Sequence, residues 1–394
     1  MPKQNDDLID RITHHNVEEI INLPSLTKRL AAGKKLRIKH GVDPTKPDLH
    51  LGHAVVLWKL KEFQDLGHTV IFLIGDYTAR IGDPSGRNTT RPVLSEEEIA
   101  QNAKTYLVQV GKILDINKCE IRRNGEWFAK LTFADIIKLL AQTTVAQVIE
   151  RADFQTRLQA GIDVGMHEII YPIMQGYDSV QLKCDVEIGG ADQKLNMLMG
   201  RDLQGKFGQP EQEVMIMPLL IGTDGIKKMS KSLGNYIGIA DEPAEQFGKI
   251  MSIPDSLIMD YWKLCTQSPD EVIATLERGK TNPMDSKLAL ALHIVELYHG
   301  NKAATEAMVN FTKTIRQGEL PEDIPTITID LNPQSIIDLL IATKLVDSKS
   351  EAKRMVEQKG VKIDQQTITD PETTITPIPR MVIQIGKRKF IRLN

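Results

Sequence analysis

Cysteine is nearly absent from this 394-residue chain: Cys119, Cys184 and Cys265 stand far apart, with no Cys-x-x-Cys pair. That excludes a disulfide framework and offers no structural zinc site, so all three are expected to be buried thiols. No apolar run reaches membrane-spanning length, and the start, MPKQNDDLIDRITHHNVEEI, lacks the basic and apolar stretches of a signal peptide. A cytoplasmic protein with no membrane partner is the expectation. Repeats and low-complexity tracts are missing too. Net charge is small, at −3, but unevenly spread: from Lys344 to Asn394 there are eleven Lys and Arg against six Asp and Glu. The rest of the chain is therefore acidic, and a basic tail on an acidic body suits a module that touches nucleic acid.

What is present has the periodicity of an α/β protein. KLRIKHGVD alternates like a strand, HAVVLWKLKEFQDLG has helical spacing and ends at Gly67, and HTVIFLIGD reads as a buried strand. Connections this short make a βαβ unit, and buried strands imply a parallel sheet covered on both faces. A helical insertion is expected over about 95–160. The sheet resumes at DVEIGG, continues through the helix ADQKLNMLMGRDL, and returns at EVMIMPLLIG before the lysine-rich loop TDGIKKMSKSLGN. Residues 1–240 thus form a nucleotide-binding α/β domain and 241–325 an all-α domain. A proline-containing linker leads to a small α+β domain over 334–394, whose second helix opens with a capping box from Ser348 to Glu351.

The stretch DPTKPDLHLGH places His50 and His53 at a helix start, with Asp48 as its expected cap. A helix N-terminus favours anions, and two imidazole N–H donors extend that preference toward a polyphosphate. Gly52 leaves room for a flat ring against the backbone. A helical zinc pair uses i, i+4 spacing with an intervening glutamate, and neither is present, so no protein-bound metal is expected. KMSKS, with Lys228 and Lys231, follows a sheet strand, where a loop can close over phosphates held by the first helix.

HLGH after GVDPTKPD, paired with the later KMSKS, resembles the two signatures of class I aminoacyl-tRNA synthetases. YPIMQGYD and IGGADQ, between them, are similar to the substrate-pocket motifs of the bacterial tyrosyl-tRNA synthetase family. SKSEAKRMVEQKGVKIDQQTI resembles the small RNA-binding fold those enzymes carry at this end. The resemblance implies a Rossmann-like catalytic domain and formation of tyrosyl-adenylate from L-tyrosine and magnesium-bound ATP. It further implies transfer to tRNA(Tyr), and a homodimer formed through the insertion.

By motif, the resemblance assigns Thr45, His50, Gly52 and His53 to ATP, and Lys228 and Lys231 to the departing pyrophosphate, joined by Arg87 and Arg91 of GDPSGRNTTR. Gly190 and Asp192 would hold the adenylate ribose. Asp83, Tyr171, Gln175 and Gln193 would surround the tyrosine ammonium, and Asp178 would accept the phenolic hydroxyl. Lys349, Lys353, Arg354 and Lys359 are the expected tRNA contacts in the tail. One position departs from the family: where a tyrosine usually faces the other side of the phenol, this chain has Lys39 and His40. Small-molecule nucleotidylyltransferases also use H-x-G-H, but need neither the helical domain nor a basic tail. A non-catalytic RNA-binding relative would have no need of both histidines and both lysines.

Overall fold

In the computed structural model, the described residues are 2–84, 94–279, 282–313, 324–329, 332–386 and 389–394. They form two compact units, one of residues 1–240 with 253–281 and the other of 241–252 with 282–394.

The first unit is built on a six-stranded sheet: β1 Glu19–Ile21, β2 Arg37–Val42, β3 Thr69–Ile74, β4 Glu120–Arg123, β5 Val186–Gly190 and β6 Glu213–Met217. Their spatial order is β1-β6-β5-β2-β3-β4, parallel throughout except for β1, which runs antiparallel to β6 at the edge. Strands β3, β5 and β6 are almost wholly buried, as expected for a sheet covered on both faces. The order reverses between β2 and β5, and open α/β sheets bind ligands at that switch point, beyond the strands' carboxyl ends.

Two strands depart from the sequence reading. β4 lies inside the expected helical insertion and extends the sheet beyond β3. Its residues EIRR carry charge and are only half-buried, so no apolar run marks them. β1 is three residues long and likewise unmarked. The rest of 95–160 is helical, from Glu96–Val110 through Ala152–Gln159. Cys184 and Cys265 are buried, but Cys119 is only half-buried, beside Gln64.

The segment 253–281, expected within the all-α domain, belongs to the first unit. Helix Ile258–Cys265 packs on helix Leu51–Asp65, and the Tyr261 hydroxyl donates to the Ile221 carbonyl at 2.8 Å. In the second unit, helices Pro243–Met251, Pro283–His299 and Asn301–Phe311 pack together. Its C-terminal part is a five-stranded sheet in the order Gln366–Ile368, Val361–Ile363, Val382–Ile385, Lys389–Leu393 and Thr326–Ile327. The last of these precedes the expected boundary at 334, and Ile327 and Ile329 pack on the same core as Leu339, Val356 and Ile383.

Helices Met166–Leu182 and Lys194–Lys206 cross so closely that two glycines are needed. A Cβ at Gly176 would meet Leu203 Cδ1 at 2.9 Å and the Gly200 backbone nitrogen at 3.1 Å. Gly176→Ala is therefore expected to destabilise the first unit by about 1–3 kcal/mol, seen as a lower denaturation midpoint at unchanged m.

Candidate active site

A cavity of about 370 Å³ opens at the switch point, within the usual range for small-molecule sites. It is lined by Thr45, His50, Gly52, His53, Asp83, Tyr171, Gln175, Asp178, Gly190, Asp192, Gln193 and Lys228, so most residues singled out in the sequence converge. Lys231 stands beside that lining, its ammonium 3.0 Å from Asp48 and over the Tyr236 ring. Arg87 and Arg91 lie outside the described residues. Lys349, Lys353, Arg354 and Lys359 are in the second unit, all exposed, with Lys349 paired to Asp338 at 2.8 Å.

The phosphate-binding expectation rests on the turn between β2 and helix Leu51–Asp65. His50, not Asp48, is the N-cap, in extended conformation, and its backbone N–H donates to His53 Nδ1 at 3.2 Å. Asp48 lies too early in the turn to cap, and its carboxylate is taken by Lys231. Because His53 Nδ1 accepts, the ring proton of the neutral imidazole sits on Nε2. Burial, then the nearby His40 and Lys231, push the His53 pKa down to about 3. Burial, then His53, Lys231 and Lys228, lower His50 in the same direction. Both rings are neutral donors at ordinary pH. Their centroids are 3.9 Å apart, and a Cβ on residue 52 would come within 3.0 Å of His50 Nδ1. A side chain at position 52 would therefore crowd the His50 ring, while Gly52 itself lines the cavity.

The turn is clamped from outside. Gln109 accepts from the Leu49 N–H at 2.7 Å and donates to the Pro47 carbonyl at 2.8 Å, while Asn102 donates to the Pro44 carbonyl at 2.9 Å. Neither residue stands out in the sequence, because the helix bearing them lies far along the chain. On the opposite wall, Lys228 pairs with Asp192.

Deeper in, a polar network joins the remaining residues. The Tyr171 hydroxyl donates to Asp43 at 2.9 Å, and Thr78 donates to the other Asp43 oxygen at 2.7 Å. Gln193 donates to Asp83 at 2.7 Å, and Asn196 donates to Gln175 at 2.9 Å and Gln193 at 3.2 Å. Arg151, from the insertion, holds Asn196 at 2.7 Å. Asp43, Thr78 and Asn196 carry no sequence signal of their own, although Asp43 lies inside the DPT stretch.

At the floor, Asp178 is 2% exposed and accepts from Trp127 Nε1 at 3.0 Å and Asn124 Nδ2 at 3.3 Å. Burial pushes its carboxyl up to about 7, against the Lys39 ammonium and those two donors, which favour the charged form. Asp178 is therefore poised between acceptor and donor near neutrality. Among the described residues, no group of three or more His, Cys, Asp and Glu could hold a metal ion.

A carboxyl raised in the folded state binds its proton more tightly there than when unfolded. Its charge therefore costs stability fully above about pH 7 and not at all below the unfolded value. Asp178→Asn is expected to raise the melting temperature by several degrees at alkaline pH, the gain shrinking as pH falls below the folded value. A gain independent of pH would contradict the assignment.

Residues 31–316 match the family described as class I tRNA synthetases (W and Y), and residues 314–393 match the tyrosine–tRNA ligase C-terminal domain. The chain is 50% identical over 388 residues to a tyrosine–tRNA ligase of Thermotoga maritima, covering 98% of this chain and 96% of that one. It is 48% identical over 392 residues to one of Bordetella avium, covering 98% and 95%. In fold it is similar to Archaeoglobus fulgidus tyrosyl-tRNA synthetase complexed with L-tyrosine. The TM-score is 0.63 at 24% identity, over 77% of this chain and 99% of that one.

Proposed function

The chain belongs to the class I tyrosyl-tRNA synthetase family, and from that premise we propose how its pocket joins tyrosine to tRNA. The observation that carries the reading is that one cavity connects a buried carboxylate, Asp178, with the paired imidazoles of His50 and His53 and with Lys228. A phenol fits one end and a triphosphate the other.

A tyrosine carboxylate oxygen attacks the α-phosphorus of ATP, the bond to the bridging oxygen breaks, and pyrophosphate leaves. The carboxylate is already ionised, so no general base is required. Positioning and charge stabilisation carry the rate. Thr45, His50 and His53 donate to the phosphates, and their neutrality suits a role as donors rather than proton carriers. Lys228 and Lys231 exchange their resting partners, Asp192 and Asp48, for phosphate oxygens. Arg87 and Arg91 add charge by family analogy. Magnesium comes with ATP, held by phosphates and water. Gly190 and Asp192 hold the ribose, with the carboxylate accepting a hydroxyl once Lys228 has turned away. Asp83, Tyr171, Gln175 and Gln193 surround the ammonium. A tRNA ribose hydroxyl then attacks the acyl carbon and AMP leaves.

Asp178 accepts the phenolic O–H, and a phenylalanine would leave that buried acceptor unpaired. Lys353, Arg354 and Lys359, exposed on the second unit, suit phosphate contacts with tRNA, alongside Lys349. A homodimer is supported by apolar side chains left in the open on and beside the insertion: Phe133 is 77% exposed, Met166 71% and Val145 61%. A cytoplasmic location suits a translation enzyme.

ATP–pyrophosphate exchange is expected with tyrosine and not with phenylalanine or tryptophan; exchange with either of those alone would overturn the reading. Replacing Lys353, Arg354 and Lys359 together by alanine should leave exchange unchanged and raise the KM for tRNA. The rise should shrink as salt increases, because the unmodified chain loses the same phosphate contacts to screening.

A further inference from the structure

Lys39, with His40, stands in β2 where the family resemblance leads one to expect a phenol-facing tyrosine, yet its ammonium is not a free donor. It is fully buried, and its three N–H bonds all have partners. They are the Gln175 carbonyl at 3.1 Å, Ser179 Oγ at 2.8 Å and Glu187 Oε1 at 2.9 Å. Glu187, 2% exposed on β5, is equally committed. It accepts from Ser179 Oγ at 2.9 Å, Gln212 Nε2 at 2.6 Å and Gln175 Nε2 at 3.4 Å. Gln175 and Ser179 lie on either side of Asp178 in helix Met166–Leu182, so the pair grips the turn that carries Asp178.

We propose that the buried Lys39–Glu187 ion pair is the positioning device that sets tyrosine specificity in this chain. It locks the helical turn around Asp178 and balances a cation against an anion beneath that carboxylate, keeping it an acceptor for the phenol. The inference rests on the tyrosine reading above and adds to it the residues that make Asp178 selective. A buried ion pair is weak evidence for stability alone, since a well-packed apolar pair of similar volume often does as well. Its placement beside the carboxylate that reads the phenol gives it a different use.

The groups facing Asp178 are few. Lys39 comes from β2, Glu187 from β5 and Tyr171 from its own helix; Trp127 and Asn124, from the segment after β4, are uncharged donors. Lys39 and Glu187 act in opposite senses. The ammonium favours the ionised Asp178 and the Glu187 carboxylate disfavours it, while Lys39 itself stays charged because Glu187 and Asp178 outweigh its burial. If Glu187 loses its charge, Asp178 becomes the nearest anion to Lys39 and ionises more readily. If Lys39 loses its charge, Asp178 faces Glu187 unopposed and holds its proton to higher pH.

The test uses the full-length chain and its Lys39→Met and Glu187→Gln variants, with kcat/KM for tyrosine and phenylalanine measured by pyrophosphate exchange from roughly pH 5.5 to 9. Lys39→Met should move the acidic limb of the tyrosine profile up by about one pH unit, and Glu187→Gln should move it down. In Lys39→Met the tyrosine-to-phenylalanine ratio should fall about tenfold or more near neutral pH, with the KM for ATP unchanged. A structural role alone would weaken both variants without moving the limbs apart. Limbs that stay put or move together, or an unchanged amino-acid ratio, would overturn the proposal. If Lys39→Met does not fold, the downward shift in Glu187→Gln alone decides it. Failure of the unmodified chain to use tyrosine would instead refute the underlying reading.

Discussion

A carboxylate removed from water has to be compensated by donors and charge, and the burial of Asp178 is the constraint on which the rest of this pocket depends. Three elements meet to satisfy it. Trp127 and Asn124 come from the segment after β4, Lys39 comes from β2, and Glu187 from β5 keeps the lysine charged. The close crossing at Gly176 and Gly200 brings helix Lys194–Lys206 against the turn that bears Asp178. Strand, helix and sheet-edge contributions coincide only at the reversal in strand order, so the topology and the specificity pocket are one arrangement.

The reacting end follows a different logic. Its donors are kept neutral or are paired with carboxylates: His50 and His53 are too buried to take up a second proton, and Lys228 and Lys231 rest on Asp192 and Asp48. Such a set has little to offer acid–base chemistry and much to offer a polyanion whose charge shifts during displacement. The helix N-terminus and the clamped turn before it fix that set relative to the floor, so the distance between the two ends is built into the backbone.

Much of this was legible in the sequence because the signals are local. The βαβ unit, the buried strands and the two phosphate motifs each occupy a few consecutive residues whose pattern survives any tertiary context. What escaped was non-local or charged. β4 reads as EIRR and gains its place only by pairing with β3; Asp48 lost the capping role to His50 because Lys231, far along the chain, claimed its carboxylate. Residues 253–281 have helical periodicity that fits either unit, and only their packing on helix Leu51–Asp65 assigns them. Lys39 was visible as a departure from the family, but its meaning lay in Glu187, which no sequence spacing connects to it.

The central claim is that one pocket reads a phenol at Asp178 and a phosphate at His50 and His53. It is tested most directly by a crystal structure of the full-length chain with a sulfamoyl analogue of tyrosyl-adenylate. The account predicts the phenolic oxygen within hydrogen-bond distance of Asp178, with Lys39 still on Glu187, and the sulfamoyl group beside the two imidazoles. A phenol bound directly by the Lys39 ammonium, or a ring lodged away from Asp178, would contradict it.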